Sequence, residues 1–357
     1  MPVAPRVSVV VPCYNAERYL ASALESALAQ EGVALEVLVA DDGSSDGTTE
    51  VLARYSDRVQ VLHQDHRGPS AARNACLQAA RGDYVALLDA DDRYRPGKLA
   101  RQAAALDTRP DVGLVYTGWN VIDDEGLPLA DQGWSREEGD VRRRLLLGNL
   151  AHPVAVMLRR APAIEAGGFD ESIQVNEDWD LFLRLALRGM RWTCIDEALS
   201  EYRVHGGQSH RRVRLVYETR LRILERIFAD PALPDELRAT RGEAFHEAHL
   251  VGAAELFAAG EVAEARAAFL AAVRARPDSL ADVATMRRFA RLLQPTGRQH
   301  QREAARRWMH VSRTLWGAVA ATLATPGIEP ELARRRWAAR GAVLRTSARL
   351  LRKRFGP

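Results

Sequence analysis

Three carboxylates follow directly on a short apolar run. The segment 84–92 reads YVALLDADD, so that Asp89, Asp91 and Asp92 lie within four residues of chain. Carboxylates packed this closely repel one another and raise each other's pKa unless a cation lies among them. One interpretation is a strand that ends in a solvated acidic turn. The other is a site for a divalent cation, since hard cations take carboxylate oxygens as ligands.

Two further acidic clusters occur along the chain. The segment DDGSSDGT begins with Asp41 and Asp42, directly after the apolar run LEVLVA. The segment NEDWDLF carries Glu177, Asp178 and Asp180 at the start of a stretch with helical periodicity. The first turn of a helix favours anions, and Asp180 is interpreted as such a first-turn charge. The position of each cluster in the fold therefore decides what its side chains do.

The front half of the chain alternates apolar strands and helical stretches. The run VSVVV ends at Pro12, as a buried parallel strand would. The repeated strand–helix order predicts an α/β fold with a doubly wound, mostly parallel sheet flanked by helices. Ligands of such sheets bind outside the carboxyl ends of the strands, where PCYN, DDGSSDGT and DADD all fall, and this favours the cation site. The predicted strands are 7–11, 35–40, 58–63 and 84–89, and the predicted helices are 16–29, 45–55 and 69–80.

Two regions are predicted: an α/β domain over residues 1–210 and a helical C-terminal extension over residues 211–357. Within the extension, the segment 245–280 has a Gly between two helical stretches and a closing Pro. It is compatible with one tetratricopeptide-type hairpin or with an ordinary helical hairpin. Between residues 110 and 210 the predicted elements are a strand and hairpin at 113–126, helices at 137–148 and 176–189, and strands at 152–160 and 191–196.

The composition is typical of a soluble globular protein, with 47% hydrophobic and 27% charged residues in 357. The start, MPVAPRVSVVVP, does not resemble a signal peptide, and no run approaches the roughly 20 apolar residues of a membrane span. Three cysteines without paired spacing indicate reduced thiols, so a cytoplasmic location is expected. Residues 211–357 hold 28 Lys and Arg against 15 Asp and Glu, whereas residues 1–210 hold 22 against 32. The two regions therefore differ in charge and are expected to differ in task.

Four segments taken together resemble the family 2 glycosyltransferases. They are VSVVVPCYNAERYL, DDGSSDGT, GPSAARNACLQAARGDYVALLDADD and NEDWDLFLRLALRG, and they follow one another in the family's order. The resemblance covers about residues 5–210 and does not extend into the C-terminal region. It implies the nucleotide-diphospho-sugar transferase fold called GT-A, and a nucleotide-sugar donor.

The resemblance implies a donor site along the strand ends. Asp42 is similar to the family aspartate that hydrogen-bonds the base, with Asp41 beside it. A carboxylate accepts a hydrogen bond from a ring N–H, which suits uracil, thymine or guanine. Arg73 in AARN matches a family residue that contacts the nucleotide, and His66 stands where the family usually has asparagine. The positions that match the family's base pocket are Pro12, Tyr14 and Glu17.

The resemblance also assigns the segment DADD to the DxD motif of the family. There Mg²⁺ or Mn²⁺ stabilises the charge of the diphosphate leaving group. Asp91 is the expected first metal ligand and Asp92 the second candidate, while Asp89 is expected nearer the ribose or a metal-bound water. His205 is similar to a late histidine that reaches the metal or the diphosphate in some relatives.

The reaction implied is an inverting, metal-dependent transfer of a single sugar. Glu177 and Asp178 match the family's ED pair, of which Asp178 is the expected base that takes the proton of the acceptor hydroxyl. The QxxRW motif of processive members does not follow Asp178, which favours one transfer over polymer synthesis. The expected acceptor is a glycan, a lipid-linked saccharide or a protein, in the setting of cell-surface polysaccharide biosynthesis. The donor's base and sugar stay open.

Three other functions compete with this one. A nucleotidyltransferase usually has a Gly-rich loop with Arg or Lys after the first strand, and PCYNAERYL is not such a loop. An aspartate-nucleophile phosphatase needs the signature DxDx[TV], but Arg93 follows Asp92. A catalytically inactive nucleotide-sugar-binding scaffold that acts through its helical tail is the non-enzymatic alternative. The intact Asp42, Asp91 and Asp178 argue against it.

The C-terminal tail, residues 331–357, carries nine basic residues against one acidic residue, interleaved with apolar side chains. A basic amphipathic helix can lie on an anionic membrane surface, where lipid-linked acceptors would be found. Peripheral contact with the inner face of the cytoplasmic membrane is one expectation, and packing on the acidic front half is the alternative. Nucleic-acid binding is not expected, because no recognition motif accompanies the charge.

Overall fold

Eight strands form one sheet in the part of the chain that the computed structural model describes, which comprises residues 6–129, 134–206, 212–276 and 279. Their order across the sheet is β3-β2-β1-β4-β7-β6-β8-β5. The first four strands run parallel, as do β6 and β8, whereas β7 and β5 run antiparallel to their neighbours. The α/β fold and the mostly parallel sheet predicted from the sequence are confirmed. The strands are β1 Val7–Cys13, β2 Leu35–Asp41, β3 Gln60–His63, β4 Tyr84–Leu87, β5 Arg93–Tyr94, β6 Val112–Ile122, β7 Val156–Arg159 and β8 Arg191–Arg203.

Helices flank this sheet. Val9 and Val10 in β1 point to opposite faces, and both are fully buried, so helices must cover the sheet on both sides. Burial of each such side chain contributes about 1.5–3 kcal/mol relative to leaving it exposed. The helices of this unit are α1 Leu20–Leu28, α2 Thr48–Ala53, α3 Pro69–Ala79, α4 Lys98–Thr108, α5 Arg142–Leu146, α6 Arg160–Glu165 and α7 Glu177–Leu187.

The helix predicted at 137–148 is much shorter in the structure. Only Arg142–Leu146 is helical, because Gly139 instead joins the sheet. Its N–H donates to the carbonyl oxygen of Trp192 at 2.8 Å, and the N–H of Trp192 donates back at 3.0 Å. A backbone pair of this kind uses the groups that a helix would need, so the helix can begin only after it.

Helix α4 was not predicted, because its buried face is partly polar. Lys98 and Gln102, one helical turn apart, are both fully buried. Lys98 Nζ donates to Gln102 Oε1 at 2.7 Å, and Gln102 Nε2 donates to the carbonyl oxygen of Ala155 at 2.9 Å. Polar side chains at the positions where a helix normally presents apolar ones hide its periodicity from a reading of the sequence.

The contacts divide the chain into two compact units, Met1–Arg211 and Arg212–Pro357. The described residues of the second unit form α8 Val213–Ala229, α9 Asp235–Arg238, α10 Arg241–Ala258 and α11 Val262–Ala275. Gly260, with φ of 87°, turns the chain between the last two helices. Small side chains on α11, among them Ala265, Ala268 and Ala272, are buried against α10 and allow a close approach.

No helix within the described ranges is both long enough and apolar enough to cross a membrane. The basic tail predicted to contact a membrane, residues 331–357, lies outside the described residues.

Candidate active site

The acidic turn, defined as residues 88–92, lies at the carboxyl end of β4. The N–H of Leu88 donates to the carbonyl oxygen of Val10 in β1 at 3.1 Å, which continues the pairing of the two strands into the turn. The N–H of Asp92 donates to the carbonyl oxygen of Asp89 at 3.0 Å and closes the turn. The strand pairing and the turn thus hold the three carboxylates at the edge of the sheet where parallel α/β folds bind ligands.

Asp92 is the buried carboxylate of the turn, with 1% of its surface exposed. Its Oδ1 accepts a hydrogen bond from the N–H of Arg203 at 2.8 Å. Its Oδ2 is buried without a hydrogen-bond partner among the described residues. Burial raises the pKa of Asp92 well above its usual range, and the charges of Asp91 and Asp89 raise it further. In the absence of a cation the protonated form of Asp92 is therefore favoured.

Asp91 and His205 form a pair beside this buried carboxylate. Asp91 Oδ2 lies 2.8 Å from His205 Nε2. Arg203, at the end of β8, donates from Nε to the carbonyl oxygen of Asp91 at 2.8 Å, and its guanidinium lies 4.8 Å from the ring centre of Tyr19. The same Tyr19 ring is 4.8 Å from that of His205. The end of β8 and the start of α1 thus enclose the acidic turn.

Arg73, on α3, connects the acidic turn to the start of α7. It donates from one terminal nitrogen to Glu177 and from the other to Asp89, both at 2.5 Å. Only 4% of the arginine is exposed, and its guanidinium lies 5.6 Å from the ring centre of Phe169. Burial lowers the pKa of Arg73, but the charges of Asp89 and Glu177 outweigh burial and hold it above its usual value.

Asp178 lies in the first turn of α7, next to Glu177. Its Oδ2 accepts a hydrogen bond from Asn149 Nδ2 at 2.7 Å. Burial raises the pKa of Asp178 to about 7, and the charge of Glu177 acts in the same direction. Three interactions lower this pKa without cancelling the rise: the hydrogen bond from the N–H of Trp179, the charge of Arg73 and the hydrogen bond from Asn149. A carboxylate with a pKa near 7 can accept a proton at neutral pH far better than an ordinary aspartate can.

An aromatic group lies near both acidic clusters. The Tyr202 and His152 rings are stacked with centres 4.0 Å apart. The His152 ring also meets the Trp119 ring edge to face, with centres 5.0 Å apart. Burial raises the pKa of Tyr202, and the charges of Asp92 and Asp178 are among those that raise it further. Tyr202 is therefore within electrostatic range of the acidic turn and of the start of α7.

The loops after β1 and β2 hold each other in place. Glu17 Oε2 accepts a hydrogen bond from the N–H of Gly47 at 2.7 Å. The N–H of Asn15 donates to Ser44 Oγ at 3.0 Å. Tyr14 stays 47% exposed and stacks on His66 with ring centres 4.0 Å apart. This stacked pair presents an accessible aromatic surface beside Pro12, the residue before the end of β1.

Asp42 is buried and engaged by the loop after β3. Its oxygens accept from the N–H of Arg67 and of Gly68, both at 2.8 Å, and from Gln64 Nε2 at 2.6 Å. His66 Nδ1 lies 2.9 Å from its Oδ2. The three hydrogen-bond donors, Gln64, Arg67 and Gly68, occupy most of the roughly four acceptor sites of a carboxylate. The preceding acid of the cluster, Asp41, accepts from the N–H of Ser44 at 3.1 Å.

Comparison with known proteins identifies the family. Residues 8–163 match the sequence profile of glycosyl transferase family 2. TuaG of Bacillus subtilis, named for a glycosyltransferase role in teichuronic acid biosynthesis, is 31% identical over 56% of this chain and 79% of TuaG. The chain belongs to glycosyl transferase family 2. An uncharacterized glycosyltransferase of Rickettsia typhi is 32% identical over 58% of this chain, which spans 66% of that relative, just under two thirds.

Solved structures similar to this family 2 chain share its fold. The TarS fragment 1–349 of S. aureus in complex with UDP-GlcNAc has a TM-score of 0.60 at 17% identity, over 99% of this chain and 93% of that one. The mannosyltransferase PcManGT from Pyrobaculum calidifontis in complex with GDP-Man and Mn²⁺ has a TM-score of 0.56 at 18% identity, over 99% and 89%. The fold is GT-A, as the sequence predicted.

The acidic turn of this family 2 glycosyltransferase can accommodate a divalent cation. No three His, Cys, Asp or Glu side chains are grouped as a ready set of metal ligands among the described residues. The turn nevertheless presents a buried oxygen of Asp92 without a partner, and Asp91 is adjacent to an imidazole nitrogen. Mg²⁺ is commonly held by one or two carboxylates together with phosphate oxygens of the substrate. The donor set therefore fits a metal whose remaining ligands come with the substrate.

The predicted site residues fall into two groups in this family 2 chain. The acidic turn, His205 and the start of α7 form one group, which Arg73 joins together. The loops after β1 and β2 form the other, with Pro12, Tyr14, Glu17, Asp41 and Asp42.

Sequence reasoning missed three residues that position the first group. They are Asn149, which holds Asp178, Arg203, which holds the acidic turn, and Phe169, which packs on Arg73. Each lies far along the chain from its partner and outside any repeating pattern. Arg203 alone carried a signal, as a charged residue two positions before a candidate ligand, His205.

Proposed function

We propose that this family 2 glycosyltransferase transfers one sugar, with inversion, from a nucleotide-diphosphate sugar to a hydroxyl of a glycan, a lipid-linked saccharide or a protein. The observation that carries the proposal is the carboxylate of Asp178, with a pKa near 7, at the start of a helix that Arg73 ties to the acidic turn. A base and an acidic turn that can hold a cation for the diphosphate, in one assembly, suit transfer to a hydroxyl. Residues 1–210 would carry this activity.

In the proposed reaction Asp178 accepts the proton of the acceptor hydroxyl. The hydroxyl oxygen forms a bond to the anomeric carbon of the donor sugar while the bond from that carbon to the diphosphate oxygen breaks. The nucleoside diphosphate leaves with the electron pair of that bond. Asn149 keeps Asp178 in one orientation through its hydrogen bond, so the accepting oxygen stays directed at one place.

A Mg²⁺ or Mn²⁺ ion is proposed at the acidic turn. Asp91 and His205 would be its first ligands, with Asp92 as the second carboxylate and Asp89 nearer the ribose. Such an ion stabilises negative charge on the departing diphosphate. It would also neutralise the carboxylates of the turn, whose burial and mutual repulsion raise the pKa of Asp92.

The donor's nucleotide is proposed to lie along the loops after β1 and β2. The exposed Tyr14 ring, stacked on His66, can receive the face of a base, with Glu17 in the same loop and Pro12 near the end of β1. A base N–H can reach Asp42 at its remaining acceptor site or by displacing Gln64, the one side-chain donor among its three hydrogen-bond donors. Asp41 would act beside it. The complexes of the structural relatives with UDP-GlcNAc and GDP-Man support a donor of this class.

A thermal-shift screen of nucleotide sugars, each with and without Mn²⁺, tests the proposed donor class. We expect donors of one base to raise the melting temperature, more strongly with Mn²⁺. A ligand at 100 times its Kd adds about 2.7 kcal/mol to the free energy of unfolding, which is readily measured. The matched control is the same sugar as its 1-phosphate, which lacks the nucleotide. If no nucleotide diphosphate stabilises the chain, the proposed function is wrong.

Residues 331–357 are proposed to hold the enzyme peripherally on an anionic membrane surface at the cytoplasmic side, near a lipid-linked acceptor. Polybasic segments gain about 1 kcal/mol per Lys or Arg near such a surface. We expect the full chain to sediment with vesicles that contain anionic lipid at physiological salt, and a chain ending at residue 330 to stay in solution. Vesicles of neutral lipid are the control. Equal behaviour of both chains on the anionic vesicles would exclude this role of the tail.

A further inference from the structure

Arg73 is the most deeply buried charge between the two acidic clusters, and it contacts three elements at once. It stands on α3, reaches Asp89 in the acidic turn and Glu177 in the first turn of α7, and packs against Phe169. Glu177 is itself buried. The residues that Arg73 connects, Asp89 and Glu177, are 88 positions apart in the chain. Through these two hydrogen bonds, Arg73 joins the acidic turn to α7.

The surroundings of Arg73 leave little room for a nucleotide. Both terminal nitrogens already donate to carboxylates, and one face of the guanidinium is against an aromatic ring. The remaining group, Nε–H, is buried without a partner among the described residues. A guanidinium that contacted a bound nucleotide in solvent would need exposed donors, and Arg73 is 4% exposed. Its geometry is that of an internal bridge.

We infer that Arg73 is a positioning residue that fixes the acidic turn and the start of α7 relative to each other, and that it does not bind the nucleotide. This inference rests on the proposed function, because it assigns Asp89 and Glu177 as the two ends of one rigid unit that carries both the metal-binding turn and the base. The planar fork of arginine suits the task, since its two terminal nitrogens can each pair with a separate carboxylate.

Loss of the bridge has a defined consequence. Without Arg73, Glu177 and Asp89 become two buried carboxylates with no cation between them, and they repel each other and their acidic neighbours. The start of α7 then moves relative to the acidic turn, and Asp178 moves with it. A displacement of about 1 Å at a reacting group can cost on the order of 100-fold in rate. The hydrogen bonds of Arg73 go to Asp89 and Glu177 and not to the loops after β1 and β2, where the base is proposed to bind.

The test compares Arg73→Gln and Arg73→Lys with the wild type. Turnover is measured with the donor found in the screen, and the Kd of the matching nucleoside diphosphate is measured in EDTA, so that no metal contributes. We expect kcat to fall about 100-fold in Arg73→Gln, with the nucleotide Kd changed less than about threefold, which is under 1 kcal/mol. Arg73→Lys restores part of kcat, because one ammonium can pair with one carboxylate but not hold two apart. Arg73→Lys also keeps the test valid if Arg73→Gln does not fold.

The matched control is Arg184→Gln. Arg184 is also an arginine paired with a buried carboxylate of α7, Asp180, and it binds the carbonyl oxygens of Ala166 and Gly168. Its loss destabilises the same helix without touching the acidic turn, so kcat should stay within about threefold of the wild type at temperatures well below melting.

Two results would overturn the inference. One is a nucleotide Kd raised tenfold or more in Arg73→Gln with kcat preserved, which identifies a nucleotide contact. The other is a loss of kcat in Arg184→Gln equal to that in Arg73→Gln, which identifies a general effect of destabilising α7. Both differ from a failure of the proposed function, which would appear as a wild-type chain that binds and turns over no nucleotide sugar at all.

Discussion

Replacement of Asp178 by asparagine is expected to lower kcat by a factor of about 10²–10⁴, the usual contribution of a positioned general base. Asparagine has nearly the same shape and can still accept the hydrogen bond of Asn149, but its amide cannot take up the proton of the acceptor hydroxyl. Donor binding should be unaffected, because the proposed nucleotide site lies on other loops. Steady-state kinetics together with nucleotide titration separate the two effects.

The same substitution is expected to make the chain more stable. The pKa of Asp178 is about 7 in the folded chain, against about 4 for an ordinary aspartate, so ionisation of this group favours the unfolded state. The penalty is fully present above about pH 7 and disappears as the pH falls from 7 towards 4. Asp178→Asn removes it, and we expect a gain of roughly 1–3 kcal/mol at pH 8, since each pKa unit corresponds to about 1.4 kcal/mol. Urea denaturation at pH 8 and at pH 5 should show a gain that shrinks with falling pH.

The ionisation of Asp178 should also appear in the pH–rate profile of the wild-type enzyme. Below pH 7 a growing fraction of Asp178 carries a proton, and kcat/KM should fall tenfold per pH unit. Asp180→Asn is the matched control, because it removes a carboxylate two positions later that is held by Arg184. That variant should lose stability and keep turnover. Unchanged turnover in Asp178→Asn would disprove the assignment of the base.

The succession of strands and helices in the front half and the positions of the acidic clusters could be predicted because each depends on a local signal. Continuous apolar runs such as VSVVV mark buried parallel strands, and polar residues that end such runs must lie at the edge where ligands bind. The turn after β4 was found in this way, and the first turn of α7 was found from the helical periodicity of NEDWDLFLRLALRG. The same reasoning could not show that Arg73 connects them, because the contact of Arg73 with Glu177 spans 104 positions of chain.

The parts of the fold that were not predicted depend on long-range pairing. The strand predicted at 191–196 extends to Arg203 because β6, along which it runs, is itself 11 residues long and offers partners over that length. The shortened helix near residue 140 has the same origin, since Gly139 pairs with Trp192. Asn149, the partner of the proposed base, lies on a short loop whose position only the packed fold determines. Local periodicity carries no information on any of these contacts.

Replacement of Asp91 by asparagine is expected to have the second largest effect on activity. If Asp91 is the first metal ligand, the loss of its charge weakens metal binding, and the diphosphate leaving group loses electrostatic stabilisation. Removal of one such stabilising group typically costs about 10²–10³ in kcat. In the thermal-shift assay, the additional stabilisation that Mn²⁺ gives to the nucleoside diphosphate complex should disappear, while the stabilisation by nucleotide without metal should remain.

The control for Asp91→Asn is Asp124→Asn, which removes a negative charge from the same neighbourhood. The Asp124 side chain bonds the hydroxyl of Tyr19, whose ring lies against that of His205, but it is not a candidate ligand. A general loss of negative potential would therefore weaken the Mn²⁺ response in both variants, whereas loss of a ligand would weaken it in Asp91→Asn alone.

His205 provides the second comparison, because it lies 2.8 Å from Asp91. His205→Gln removes one ligand and leaves every carboxylate of the turn in place. This variant should therefore weaken the Mn²⁺ response less than Asp91→Asn does. A full response in Asp91→Asn would instead assign the metal to Asp92, whose buried Oδ2 has no partner among the described residues. In that case Asp92→Asn should abolish the Mn²⁺ response. The bound metal should then lower the pKa of the Asp92 carboxyl, which burial raises.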